Sequence, residues 1–258
     1  MSKTDVTGQL QQYGTYVELS DYVQYVSQDP VLTETAEVLG ENSGESLDSV
    51  YRDTLVGGTS VFYAGGVAAR GSIVTSPAAA DLDKIIRALK AANAKFYNTN
   101  PIPGRDAVGT TPIAASYFAI CHPYTTYDLE GETGWVPVHK YPDPSIAVPN
   151  EVGSYKQLRF IESTNAKIWA DTGGSAVAAS LKYTTANSAC DVYATLVFGK
   201  NAYGVTDLKG KGMENIVKPL GSGDDPLNQR STSGWKSTTD ILILNDAFMY
   251  RYEHGVTE

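Results

Sequence analysis

Reactive and metal-binding side chains are scarce in this sequence. Two cysteines and three histidines are the only thiol and imidazole side chains among 258 residues. Cys121 and Cys190 form no Cys-x-x-Cys pair, and His122, His139 and His254 lie far apart with no partner at metal-ligand spacing. Both observations argue against zinc, and two thiols are too few to staple a secreted scaffold. A reducing compartment is the default. Basic groups are outnumbered, 20 against 29 acidic ones, for a formal charge of −9. That is the wrong sign for a chain that draws its affinity from releasing counterions off nucleic acid. No apolar run approaches the ~18 residues that span a bilayer, and the polar opening Met1-Ser2-Lys3-Thr4-Asp5 does not read as a leader. No serine sits in a Gly-x-Ser-x-Gly elbow.

What is present is globular: 42% hydrophobic residues, with 24 glycines, 12 prolines and 17 tyrosines. The charge is unevenly placed, because residues 1–60 hold only Lys3 and Arg52 as basic groups and nearly all the acidic excess. Thr4, Val6, Gly8 and Leu10 alternate as in a strand, and Thr15, Val17 and Leu19 resume the pattern after Gly14. Asp29 reads as an N-cap and Pro30 as the first residue of a helix. From Leu32 the positions Ala36, Leu39, Ser43, Leu47, Val50 and Thr54 follow a helical stripe, while Glu34, Glu37, Glu41, Glu45 and Asp48 centre on the opposite face. The predicted helix from Pro30 to Leu55 would be roughly 39 Å long, ended by Gly57-Gly58.

A second helix is expected after Ser76 and Pro77, burying Leu82, Ile85, Ile86 and Leu89, exposing Lys84, Arg87 and Lys90, and stopping near Asn93. A loop follows around Asn100-Pro101-Ile102-Pro103-Gly104. Strands are expected at Tyr117 to Cys121, Gln157 to Glu162 and Val192 to Phe198, with a short helix near Tyr124 to Leu129. Ala170 to Ala189 and Asp207 to Gly212 read as loops or weak hairpins. Toward the end, Trp235 to Tyr252 would reach about 59 Å as one strand, with Phe248, Tyr250 and Tyr252 on one face and Met249, Arg251 and Glu253 on the other. Either Asn245-Asp246 breaks it or the subunit is flat and elongated.

Several groups suggest chemistry and also have structural explanations. Asp171-Thr172-Gly173 resembles the turn of an aspartic protease, which needs a second carboxylate about 3 Å away that only a homodimer could supply. A Gly-rich turn explains it as well. His122, before Pro123, suits a hydrogen-bonded structural role. Lys209-Gly210-Lys211-Gly212 lacks the glycine spacing of a phosphate loop. Carboxylates along a straight helix diverge and cannot wrap a calcium ion. Asp224-Asp225-Pro226 could weakly bind a cation or simply start a turn. The tyrosines, large in area and low in entropy cost, suit subunit interfaces and packing.

Five stretches carry a family resemblance: SKTDVTGQLQQYG at residues 2–14, DPVLTETAEVLGE from Asp29, GTSVFYAGG from Gly58, VFGKNAYGV from Val197, and DPLNQRSTSGWK followed by ILNDAFMYRYE. In order and spacing they resemble the major capsid proteins of tailed bacteriophages of the coliphage N-four type. The resemblance implies an α+β, Hong Kong 97-like capsid fold and a non-enzymatic shell protein with no catalytic, cofactor or metal residues. A peripheral domain over 1–93 would contain a spine helix at about 30–56 and a second helix at about 77–93. Residues 94–218 would be mainly axial domain, and 219–258 return strands of the peripheral sheet.

The implied function is self-assembly through pentameric and hexameric capsomers into an icosahedral head around double-stranded DNA, bound without sequence specificity. Scaffolding, portal or decoration proteins would be further partners, and the virion the location after synthesis in the host bacterial cytoplasm. Family members carry an arm and the outgoing strand of an extended loop before the segment matching Ser2-Lys3-Thr4-Asp5. Met1 stands almost at that point, so an open edge is expected at Lys3 to Leu10. Competing readings are a cellular nanocompartment shell of the same fold and an Asp171 hydrolase.

Overall fold

The computed structural model describes residues 5–97, 114–141, 147–175, 180–185, 189–208, 212–222 and 225–258. It divides into two compact units, one of Met1–Tyr51 with Gly204–Leu242 and the other of Arg52–Tyr203 with Ile243–Glu258.

In the first unit, strand β1 (Gln11–Ser20) runs directly into a short helix α1 (Asp21–Val26), and the long helix α2 (Val31–Val56) follows. β9 (Tyr203–Asp207), β10 (Glu214–Lys218) and β11 (Arg230–Ile243) complete a four-stranded sheet in which β11 pairs with the other three. β1 lies at its edge, antiparallel to β11 in continuous register from Gln11 opposite Thr239 to Ser20 opposite Arg230. The strand therefore starts at Gln11, and residues 5–10, expected as its beginning, have no strand structure. Gly14 does not interrupt it. A Cβ there would stand 2.6 Å from the Trp235 carbonyl oxygen, so a side-chain-free residue lets the two strands approach.

α2 matches the periodic reading, starting one residue later than expected. Pro30 accepts from the amides of Thr33 and Glu34 and thus precedes the first helical residue. Leu39 and Ser43 are buried, while Leu32, Ala36, Leu47 and Val50 are half-buried. In the last turn the buried arc shifts: Thr54 is exposed and Leu55 and Val56 are buried. The alternate residues Ser231, Ser233, Trp235, Ser237, Thr239 and Ile241 of β11 are buried. Trp235 Nε1 donates to Asn42 Oδ1 at 3.3 Å, and the hydroxyls of Tyr51 and Thr239 meet at 2.8 Å. These bonds seat α2 on that face of the sheet.

The second unit is an eight-stranded mixed sheet. Its further strands are β2 (Val61–Tyr63), β3 (Tyr117–Cys121), β4 (Trp135–Pro137), β5 (Glu151–Tyr155), β6 (Leu158–Glu162), β7 (Ile168–Trp169), β8 (Val192–Phe198) and β12 (Met249–His254). The order is β2-β12-β8-β3-β6-β5-β4, with β7 also on β8. Helix α3 (Ala79–Ala91) buries Leu82, Ile85, Ile86 and Leu89, as its periodicity requires. It begins after Ala78 rather than at Pro77 and has no side-chain cap, so the expected Ser76 cap is not formed. Asn93, at φ +59°, takes the left-handed conformation at its end. α4 (Pro123–Glu130) is the expected short helix.

The long C-terminal strand is broken. β11 stops at Ile243, a 3-10 turn occupies Asp246–Phe248, and β12 restarts at Met249. Asn245 Oδ1 accepts from the Ala247 amide at 3.1 Å, which caps that turn. β12 is paired along one edge with β2 and along the other with β8, so it lies inside the sheet, and Met249 and Glu253 on one face and Tyr252 and His254 on the other are all buried.

Candidate assembly surface

Asp171, His122 and His254, the residues with the clearest reactive chemistry among those described, have structural partners. Asp171, at φ +50°, accepts from the Thr185 amide at 3.1 Å, and hydrogen bonds from Thr185 hold its carboxyl below the usual carboxylate range. Neighbouring Asp191 is buried and accepts from the amides of Asp171 (2.9 Å) and Thr184 (3.2 Å) and from the Thr184 hydroxyl (3.0 Å). Both carboxylates thus serve as acceptors for the backbone amides of this turn.

His122 caps α4, its Nδ1 accepting from Tyr124 N–H at 3.2 Å, and burial lowers its pKa with help from nearby Lys182. His254 is fully buried: Nδ1 donates to the Gly255 carbonyl at 2.8 Å and Nε2 lies 3.0 Å from the Thr195 hydroxyl. Burial drives its pKa down to about 4, so the ring is neutral. His139 is exposed in a 3-10 turn at Val138–Lys140. Both cysteines are free and buried, and burial pushes the Cys121 thiol up to about 12. Among the described residues no group of three His, Cys, Asp or Glu could hold a metal, and no helix is long and apolar enough to cross a membrane. Asp225 accepts from the Gln229 amide at 2.9 Å and makes a turn. Asp224, Lys209 to Lys211 and the loop from Asn100 to Gly104 lie outside the described residues.

The buried charges are also internally matched. Glu151 accepts from Arg159 Nε and Tyr141 at 2.7 and 2.8 Å, with a second Arg159 contact through Nη2, and all of this is out of water. Glu253, fully buried, takes Arg70 Nε at 2.7 Å on one oxygen and Arg251 Nε at 2.7 Å on the other. That bond to Glu253 raises the Arg70 pKa, and its guanidinium lies 3.6 Å from the centre of the Trp169 ring. Arg251 also donates to the Val56 and Gly58 carbonyls, binding the C-terminus of α2. Such pairs fix the geometry of the sheet around them.

The five carboxylates of α2, Glu34, Glu37, Glu41, Glu45 and Asp48, are all exposed. Of the seventeen tyrosines, Tyr16, Tyr22, Tyr25 and Tyr127 are at least 72% exposed, and the first three fall within ten residues of the first unit. α1 is one of the elements that sequence reading missed. Its Tyr22, Tyr25 and Val26 are 72, 79 and 65% exposed, whereas Gln24 turns inward to donate to the Ser231 hydroxyl at 2.7 Å. The i, i+3, i+4 spacing of the three apolar residues was the available signal; six residues are too few for periodicity to stand out.

No protein-family model matches the sequence, and no curated protein does. Solved structures match the fold. The capsid of Ralstonia phage GP4 superposes with a TM-score of 0.70 at 12% identity, covering 97% of this chain and 74% of that one. The cyanophage Pam1 capsid gives 0.64 at 16% identity, covering 99% and 79%. The holo-SrpI encapsulin complex from Synechococcus elongatus gives 0.57 at 10% identity, covering 96% and 75%. The chain therefore has the mixed α and β fold of phage capsid proteins, the Hong Kong 97-like fold.

Proposed function

We propose that this chain is a phage major capsid protein of the coliphage N-four type, a structural subunit that tiles with copies of itself. The reading is carried by the match of nearly the whole chain to the Ralstonia phage GP4 capsid. In it α2 is the spine helix, residues 1–93 and 219–258 build the peripheral domain, and residues 94–218 are mainly the axial domain. Copies would associate head to tail around five-fold and six-fold centres and close as an icosahedral shell in the virion, the copies being made in the host bacterial cytoplasm. Contacts that are individually modest let errors dissociate, and their multiplicity makes the finished shell durable. Scaffolding, portal and decoration proteins are the further partners this reading expects.

Electron microscopy of the purified protein at several concentrations and salt levels tests the proposal. Regular shells, tubes or rings are expected, and a strictly monomeric species throughout overturns it. The fold likeness to an encapsulin supports a second reading, a shell around a cargo enzyme. Particles from the producing cell decide between them: nuclease-protected double-stranded DNA inside is the capsid outcome, an enclosed enzyme the other. In the capsid reading the exposed carboxylates of α2 line the interior and repel packaged DNA. Replacing Glu34, Glu37, Glu41 and Glu45 with Gln should leave assembly intact and slow packaging or release of DNA; unchanged packaging would sink this role.

A further inference from the structure

α1 is amphipathic the wrong way round for a helix of an isolated protein. Its polar Gln24 faces the sheet, and Tyr22, Tyr25 and Val26 form an apolar stripe toward solvent. The neighbouring loop adds to the patch: Asp21 N–H donates to the Gln229 carbonyl at 2.8 Å, and Leu227, two residues earlier, is 72% exposed. With a tyrosine worth about 150–250 Å² of contact area, the patch offers on the order of 400–600 Å². That is at the upper end of what monomers expose and below the ~800 Å² per partner of a free-standing dimer. Such a patch suits a contact that is repeated in an assembly. Beside it lie Asp21, Glu18 and Asp225 with Arg230 as the single cation among the described residues there, 3.2 Å from Glu18 and 4.0 Å from Asp225, so the local charge is net acidic.

A complementary surface exists on the same chain. A groove of about 550 Å³ along α3 has buried Ile86 in its lining and Arg87, Lys90 and Lys156 around it. Lys156 is paired with Asp83 at 2.6 Å, while no ion pair is found for exposed Arg87 and Lys90 among the described residues. A tyrosine ring fits such a lining through the apolar floor, the aliphatic stems and a cation over its face.

We infer that the α1 stripe of one copy docks in the α3 groove of a second copy. This rests on the self-assembly reading and names one of its contacts. Because the two surfaces differ, the contact is heterologous: each copy offers one knob and one groove, and growth continues until a ring closes.

The test uses the full chain with two double variants, Tyr22→Ser/Tyr25→Ser and Arg87→Glu/Lys90→Glu, each checked for an unchanged melting curve because all four side chains are exposed. In sedimentation velocity, each variant alone should need at least a tenfold higher concentration to assemble. Mixed together they should form a two-copy species that grows no further, since each supplies the half the other lacks. Variants that assemble like the parent overturn the inference and leave the self-assembly reading standing. So does a mixture showing no two-copy species. A parent chain that is monomeric at every concentration overturns both.

Discussion

Beneath α2 the four-stranded sheet presents Ser231, Ser233, Ser237 and Thr239 around Trp235 and Ile241, whereas the eight-stranded sheet packs Tyr117, Phe160, Leu158, Val192, Val197 and Tyr252 against the helix residues Leu82, Ile85 and Leu89. Leu39, Trp235 and Ile241 are the only buried hydrophobic side chains found in the first unit among the described residues. Yet fourteen of the twenty-one exposed large hydrophobic side chains belong to that smaller unit. Apolar surface that a self-sufficient domain would turn inward is here turned outward. Burial contributes ~25 cal/mol per Å², so the first unit has less to hold it together alone and more to gain from a neighbour. The second unit is complete by itself, down to its buried charges.

The largest effect should come from breaking that completeness. Glu151→Ala leaves Arg159 charged and buried without its partner and should cost about 3–5 kcal/mol. The tryptophans separate the units, since Trp135 and Trp169 lie in the second and Trp235 in the first. Fluorescence of single-tryptophan chains in denaturant should show the loss at Trp135 and spare Trp235. Equal loss at all three would mean that the units do not unfold separately.

Acid should also act on the second unit. His254 has a folded pKa of about 4 against an ordinary value of 6.5, so the unfolded chain takes up the proton first as pH falls. The stability held above pH 6.5 is therefore lost progressively down to about pH 4, on the order of 3 kcal/mol from this group. His254→Gln should reduce the slope of stability against pH in that window, at the expense of stability at neutral pH. An unchanged slope would exclude His254 as its source.

A smaller change should go the other way in the first unit. The Ser233 hydroxyl is buried without a hydrogen-bond partner. Ser233→Ala should raise the denaturation midpoint followed at Trp235, by about 1 kcal/mol. Smallest per contact is the α2 carboxylate row, where each like-charged pair three or four residues apart opposes the helix by a few tenths of a kcal/mol. The Gln replacements at Glu34, Glu37, Glu41 and Glu45 should stabilise that helix at low salt, with the gain fading as salt is added.

Elements whose signal is local are legible in the amino-acid pattern alone. α2 and α3 follow from apolar spacing over many turns, and β3 and β8 from short apolar runs bounded by turn residues. The five-stretch resemblance agrees with the fold. The candidate surface is legible only in its chemistry: seventeen tyrosines suited to interfaces, with no means of telling which are exposed. Tyr117 and Tyr252 are buried while Tyr22 and Tyr25 face water, although nothing in their immediate neighbours distinguishes them.

By itself, then, the sequence determined where α2 and α3 run, which face of each is apolar and where the acidic charge lies, because these depend on spacing along one chain. Only the tertiary structure decided that β12 is covered on both faces, that the final strand breaks after Ile243, and that α1 turns its tyrosines outward. Those outcomes depend on which strands pair across large separations and which side of a short helix a single bond such as Gln24 to Ser231 holds down. Neither is encoded in a repeat that a local window can contain.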